Sequence, residues 1–224
     1  MREKPTEDYI YHIYNRGVDK RTIFDDDTDR RRFLCDLYFF NNRDSTDNIR
    51  FFDFQSQKKD DDREKLVEIL SFVLMPNHFH LLLKPLVENG VSEFMRKLGV
   101  GYTHYFNMKN ERSGSLFQGK YKFVKIEDDE QLNYIPFYIH FNPAELVETG
   151  WKEKEIQDKN KLINFLKSYE WSSLGDYLGN SRFANIINKD ILIDYLGTPK
   201  ELGREIDEWL TEISSPNDTN LWIE

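Results

Sequence analysis

Two pairs of residues in this sequence have types and spacings that could do chemistry: His78 with His80, and Tyr138 with Asn142. On a strand, side chains alternate between faces, so His78 and His80 share one face and Phe79 packs on the other. Two imidazoles one pleat repeat apart can share a divalent metal ion. Tyr138 and Asn142 are four apart, which places them on one face of a helix. A tyrosine hydroxyl with its ordinary pKa of ~10 is a poor nucleophile. It becomes competent against a phosphodiester when a metal polarises the phosphate and holds it in line. The amide oxygen of Asn142 could complete that metal's ligand set one turn from the tyrosine. Each pair also has a plainer use. Histidines two apart serve as hydrogen-bonded surface or core residues. A core tyrosine and an asparagine that caps a helix before Pro143 would look the same. A nucleic-acid phosphoryl-transfer site is the arrangement that uses all four.

The stretch between the pairs has a matching composition. Lys84 to Lys125 carries eight basic and three acidic residues, a local charge of +5 in a chain whose net charge is −9. Phe94, Tyr102, Tyr105, Phe106, Phe117, Tyr121 and Phe123 interleave with the cations. Cations for phosphate and rings for stacking suit single-stranded nucleic acid. An ordinary amphipathic helix and strand with solvated lysines has the same composition.

The elements that would position these residues follow from pattern. Tyr9–Asn15 reads as a strand, and Arg30–Phe40 as a helix after an acidic start. Leu66–Met75 and His78–Lys84 read as a hairpin around Met75-Pro76-Asn77. A helix runs from Val91-Ser92 to about Asn110, with Ser92 as its cap. Lys120–Ile126 alternates as a strand. A helix then runs from Glu127 towards Phe141, with Pro136 expected to kink or restart it. The order is strand-helix-strand-strand-helix-strand, the split ferredoxin-like βαββαβ pattern of an antiparallel sheet with helices, an α+β fold. A further helix could cover the other face. From Trp151 the chain is mostly helical, with Lys154–Tyr169 and Pro199–Ile213 as its best segments. Residues 1–150 are expected to be the catalytic domain and 151–224 a helical extension packed on it. Asn41–Asp62 is polar and reads as an inserted loop.

Composition excludes several classes. The chain has 224 residues with 15% aromatics, which supports a sizeable core and argues against disorder. The acidic net charge disfavours a protein that coats duplex DNA by charge alone. Cys35 is the single cysteine, which excludes an intramolecular disulfide and a Cys-rich zinc site. Met1-Arg2-Glu3-Lys4-Pro5 opens no apolar signal core, and no apolar run approaches the ~20 residues that span a bilayer. A soluble, cytoplasmic protein without membrane contact is expected.

The ordered set of motifs resembles a known family. Met75-Pro76-Asn77-His78-Phe79-His80-Leu81-Leu82-Leu83 is similar to the His-hydrophobic-His signature of single-tyrosine transposases, in particular the REP-associated tyrosine transposases related to the IS200-type enzymes. Tyr11-His12-Ile13 with Asn15-Arg16-Gly17 resembles that family's opening strand and turn. Ser115-Leu116-Phe117-Gln118-Gly119-Lys120-Tyr121-Lys122 resembles the stretch before its last strand. Tyr138-Ile139-His140-Phe141-Asn142-Pro143 resembles its tyrosine helix. Trp171-Ser172-Ser173 with Tyr177-Leu178-Gly179 resembles its C-terminal segment. The likeness covers residues 9–180.

The resemblance implies a metal-dependent enzyme that cleaves and rejoins single-stranded DNA beside hairpins through a 5′-phosphotyrosine intermediate. Tyr138 would be the nucleophile, and His78, His80 and Asn142 the ligands of Mg²⁺ or Mn²⁺. Two imidazoles suit Mn²⁺ better than Mg²⁺, which prefers oxygen. Arg16, Arg96, Lys97, Arg112, Gln118, Lys120, Tyr121 and Lys122 are expected to contact the DNA. Tyr134 is an alternative nucleophile, and His12, His104 and His140 are expected to pack or hydrogen-bond. The long tail slightly favours a monomer over a homodimer. The alternatives are a DNA-hairpin binder with little or no turnover, and a metal-dependent nuclease that uses water.

Overall fold

A computed structural model describes residues 4–44, 63–151 and 156–213. Four strands form one antiparallel sheet: β1 (Ile10–Arg16), β2 (Val67–Met75), β3 (His78–Pro85) and β4 (Lys122–Ile126). Their spatial order is β2-β3-β1-β4. Helix α1 (Asp27–Phe39) joins β1 to β2, and α2 (Gly90–Lys109) joins β3 to β4. This is the expected ferredoxin-like arrangement, in which the two crossover helices let β1 and β3 pair at the centre. Helix α3 (Asp129–Phe141) follows, then a 3-10 turn at Asn142–Leu146. The C-terminal part adds α4 (Lys159–Ser168), α5 (Leu174–Tyr177), α6 (Asp190–Leu196) and α7 (Pro199–Ile213). Among the described residues, no helix is long and apolar enough to cross a membrane.

The two faces of the sheet differ chemically. Tyr14 pairs with His80 and Arg16 with His78, and paired residues share a face. On that face His12 and His80 both meet the Tyr138 ring of α3. The other face is apolar. Phe79 packs on Phe33 of α1, and Phe33 packs on Phe24 and on Tyr102 of α2, with ring centroids 4.9 to 5.2 Å apart. The alternation read in His78-Phe79-His80 thus separates chemistry from core.

Acidic caps start three helices. Asp26, Asp128 and Asp158 each accept the backbone N–H three residues on, which satisfies an otherwise orphaned donor. The expected Ser92 cap is not formed. Helix α2 begins earlier, with Asn89 at φ 58° before Gly90, and the Ser92 hydroxyl meets that of Tyr121 at 3.2 Å. A side chain at Gly90 would lie 2.3 Å from the Leu66 carbonyl oxygen, so this tight entry needs glycine. Helix α3 runs through Pro136 rather than restarting there. Pro136 is buried, and packing offsets its missing N–H. Strand β4 starts at Lys122, two residues later than expected, because Gln118 and Gly119 are tied to β1 through Arg16 O and the Asn15 amide. Of the expected 41–62 insertion, residues 45–62 lie outside the described residues.

The C-terminal part pairs directly with the outer edge of β2. Leu74 N donates to Trp171 O, Ser173 N to Phe72 O and Asn188 N to Ile69 O, at 2.8 to 3.0 Å. The hydroxyls of Tyr169 and Tyr177 donate to the carbonyls of Leu74 and Leu70. An open strand edge is a template for unwanted pairing, and this one is covered.

Candidate active site

Strand β3 presents His78 and His80 side by side, with ring centroids 5.1 Å apart. Each ring is held through Nδ1. The Nδ1 of His78 lies 2.6 Å from Asn77 Oδ1, which can only accept, so Nδ1–H donates. The Nδ1 of His80 lies 2.8 Å from Nε2 of His12 on the neighbouring strand. Burial pushes His12 down to a pKa of about 3, so its ring is neutral, and in the tautomer that leaves Nε2 bare it accepts a hydrogen bond from His80 Nδ1–H. Nε2 is then the nitrogen with which each ring could hold a metal. An imidazole oriented through its second nitrogen is the usual supporting arrangement of a metal-binding histidine. His12 therefore does more than pack. Sequence reasoning left it among the structural histidines, although its match to the opening-strand motif was visible.

Helix α3 delivers Tyr138 to the same pair. Its ring stands edge-on to His80 at 5.7 Å and to His12 at 5.8 Å, and it is 2% exposed. Tyr134 stacks on it from one turn earlier. Burial raises the Tyr134 pKa, which works against that residue as the alternative nucleophile. Asn142 is fully buried and its Nδ2 donates to Tyr138 O at 2.8 Å, the capping use foreseen for it. Its Oδ1 is buried without a hydrogen-bond partner, an orphaned acceptor that a cation would satisfy. Among the described residues, no three His, Cys, Asp or Glu side chains stand close enough to hold a metal. Two imidazoles and an amide oxygen are a donor set that fits a weakly held divalent ion completed by water and phosphate.

His78 and His80 open into a cleft of about 340 Å³, whose wall includes Tyr14, Arg16, Gln118, Lys120, Lys122 and Glu145. Tyr138 and Asn142 do not line it but lie behind. Arg16, Lys120 and Lys122 make no ion pair among the described residues, and Lys122 Nζ rests over the Tyr14 ring at 5.6 Å. Glu145 was not singled out from sequence. It lies seven residues, two helical turns, past Tyr138, and that spacing was the available signal. Four of the expected DNA contacts, Arg16, Gln118, Lys120 and Lys122, thus meet at the histidines.

The other four stand elsewhere. Arg96 and Tyr121 line a separate cavity beside α2. Lys97 is spent on structure: its ammonium donates to the carbonyls of Asn42 and Arg43 and pairs with Glu93. Arg112 bonds Asn107 Oδ1 and Ser115 O in the loop after α2. Neither of these two cations lines the cleft, because both charges are already used to hold local backbone. Replacing Lys120 and Lys122 together with alanine should weaken single-strand binding. It should also flatten the slope of log affinity against log salt by roughly 1 to 1.5. An unchanged slope would remove both as phosphate contacts.

Residues 6–142 match the family model described as IS200-like transposase. The chain belongs to that family. Among solved structures, this IS200-like transposase is similar to a REP-associated tyrosine transposase bound to a REP hairpin. The TM-score is 0.51 at 11% sequence identity, over 85% of this chain and 92% of the other. No curated protein matches it. A DNA transposase with a ferredoxin-like fold is therefore the framework for its site.

Proposed function

We propose that this transposase cuts and rejoins single-stranded DNA next to hairpins through a 5′-phosphotyrosine link. The observation that carries the reading is the contact of Tyr138 with His80 and His12 within one chain. The solved relative's hairpin supports the choice of DNA. A divalent ion, Mg²⁺ or Mn²⁺, held by His78, His80 and Asn142 would polarise the scissile phosphate.

The chain's own residues do the rest. Arg16, Lys120 and Lys122 hold the phosphates along the cleft. DNA has to open the packing around Tyr138 to reach its hydroxyl. The tyrosine oxygen then bonds to phosphorus while the bond from phosphorus to the 3′ oxygen breaks. The hydroxyl proton is lost from tyrosine, and the departing 3′ oxygen takes up a proton. The 5′ side of the break stays on Tyr138. Attack of a 3′-OH on that ester reverses the exchange, so rejoining needs no outside energy source. Residues 1–150 would carry the reaction and 151–224 would brace it. With tyrosine and histidines meeting in cis and the β2 edge covered, the working unit is a monomer, acting in the cytoplasm.

Incubation of labelled, hairpin-flanked single strands with the protein and Mn²⁺, followed by a denaturing gel, tests this. A protein-linked band that EDTA abolishes is expected. Cleavage without linkage would replace the reading with a water-using nuclease. Tight hairpin binding without either would leave a binding protein.

A further inference from the structure

The larger cavity of about 760 Å³ lies on the opposite face of the sheet from the histidines, between α2 and the segment leading into β4. Its floor is apolar and aromatic, with Phe117, Tyr121 and Phe123. Its rim carries Lys4, Arg96 and Lys120, and among the described residues no acidic side chain lines it. Asn15 and Lys120 line both this cavity and the histidine cleft, so the two are separated only by the ridge of the Gln118–Lys120 loop. The Asn15 amide holds that ridge through Gly119 O at 3.1 Å. Gly99 sits in the wall, in the middle of α2. A Cβ there would meet nothing within 4 Å, so packing does not require glycine at this position. Glycine inside a helix costs about 1 kcal/mol relative to alanine. Its effect here is to leave the cavity open.

We propose that this cavity receives unstacked bases of the single strand that continues from the cleft over the Lys120 ridge. Arg96 and Lys120 hold the backbone phosphates at the rim. The aromatic floor and the cations at the rim match a nucleobase carried on a phosphate chain, and the shared wall supplies a continuous path from the reaction site. The inference rests on the single-strand DNA reading above and adds a second contact region to it.

The test compares affinities by fluorescence anisotropy, using a blunt hairpin, the same hairpin with an unpaired flank of six thymidines, and that flank made abasic. The flank should improve wild-type binding about tenfold or more, and the abasic flank should lose most of that gain. Gly99→Trp, which fills the cavity, should bind the blunt hairpin like wild type but gain nothing from the flank. Arg96→Ala, at an exposed position, should lose part of the gain and provides a check that does not depend on filling a wall. Unfolding curves confirm that both variants fold. Equal flank gains in wild type and both variants would overturn the cavity proposal while leaving phosphotyrosine formation intact. Absence of binding to any of these DNAs would overturn both.

Discussion

Tyr138→Phe is expected to abolish the protein–DNA adduct, with a rate at least ~10³-fold below wild type, the scale of losing a nucleophile. The substitution removes one oxygen and keeps the ring. The edge contacts to His12 and His80 and the stack on Tyr134 therefore survive. Stability should change by no more than about 1 kcal/mol, the scale of a single buried polar group. Hairpin affinity should stay within about twofold, because the cations of the cleft are untouched. Tyr134→Phe should retain the adduct. Strand cleavage by Tyr138→Phe at a near wild-type rate would show that water, not this tyrosine, attacks.

Ser173→Ala should carry the largest stability cost of the substitutions considered, roughly 2 to 5 kcal/mol. The Ser173 hydroxyl accepts the Phe72 N–H at 2.9 Å and lies 2.8 Å from Nε2 of His140. All three groups are buried, and burial lowers the His140 pKa to about 3, so this histidine stays neutral. Alanine would strand the Phe72 donor and the imidazole together. His140 is two residues past Tyr138 on α3, so the same bond ties the helix that carries Tyr138 to the edge of β2. Adduct yield should therefore fall while hairpin affinity persists. Ser173→Thr, which keeps the hydroxyl, should restore both. Urea unfolding and the trapping gel read the two effects separately. A loss of stability with undiminished adduct yield would mean that the tether does not position Tyr138.

The order of strands and helices along the first 141 residues was legible because each element has its own local signature. The alternation around Phe79 and the acidic starts of α1 and α3 are examples. Where expectation and structure part, contacts distant in sequence are responsible. Ser92 has cap chemistry, but glycine at 90 lets the chain pass where a Cβ would lie 2.3 Å from Leu66 O, so the helix begins earlier. Lys97 and Arg112 have the composition of DNA contacts, but their charges are satisfied by backbone carbonyls and an asparagine. A charge count cannot show which cations are already occupied.

By itself the sequence determined the two histidines on one strand face, the tyrosine and asparagine one helical turn apart, and the order of elements around them. These are short-range facts, set by strand and helix periods. Tertiary structure alone decided that His12 holds His80, that Tyr138 packs on both within one chain, and that Ser173 anchors the tyrosine's helix. It also placed Glu145 in the cleft and opened a second cavity behind Lys120. Those relations join residues up to 126 positions apart, as His12 and Tyr138 are, and only packing of the sheet against its helices brings them into contact.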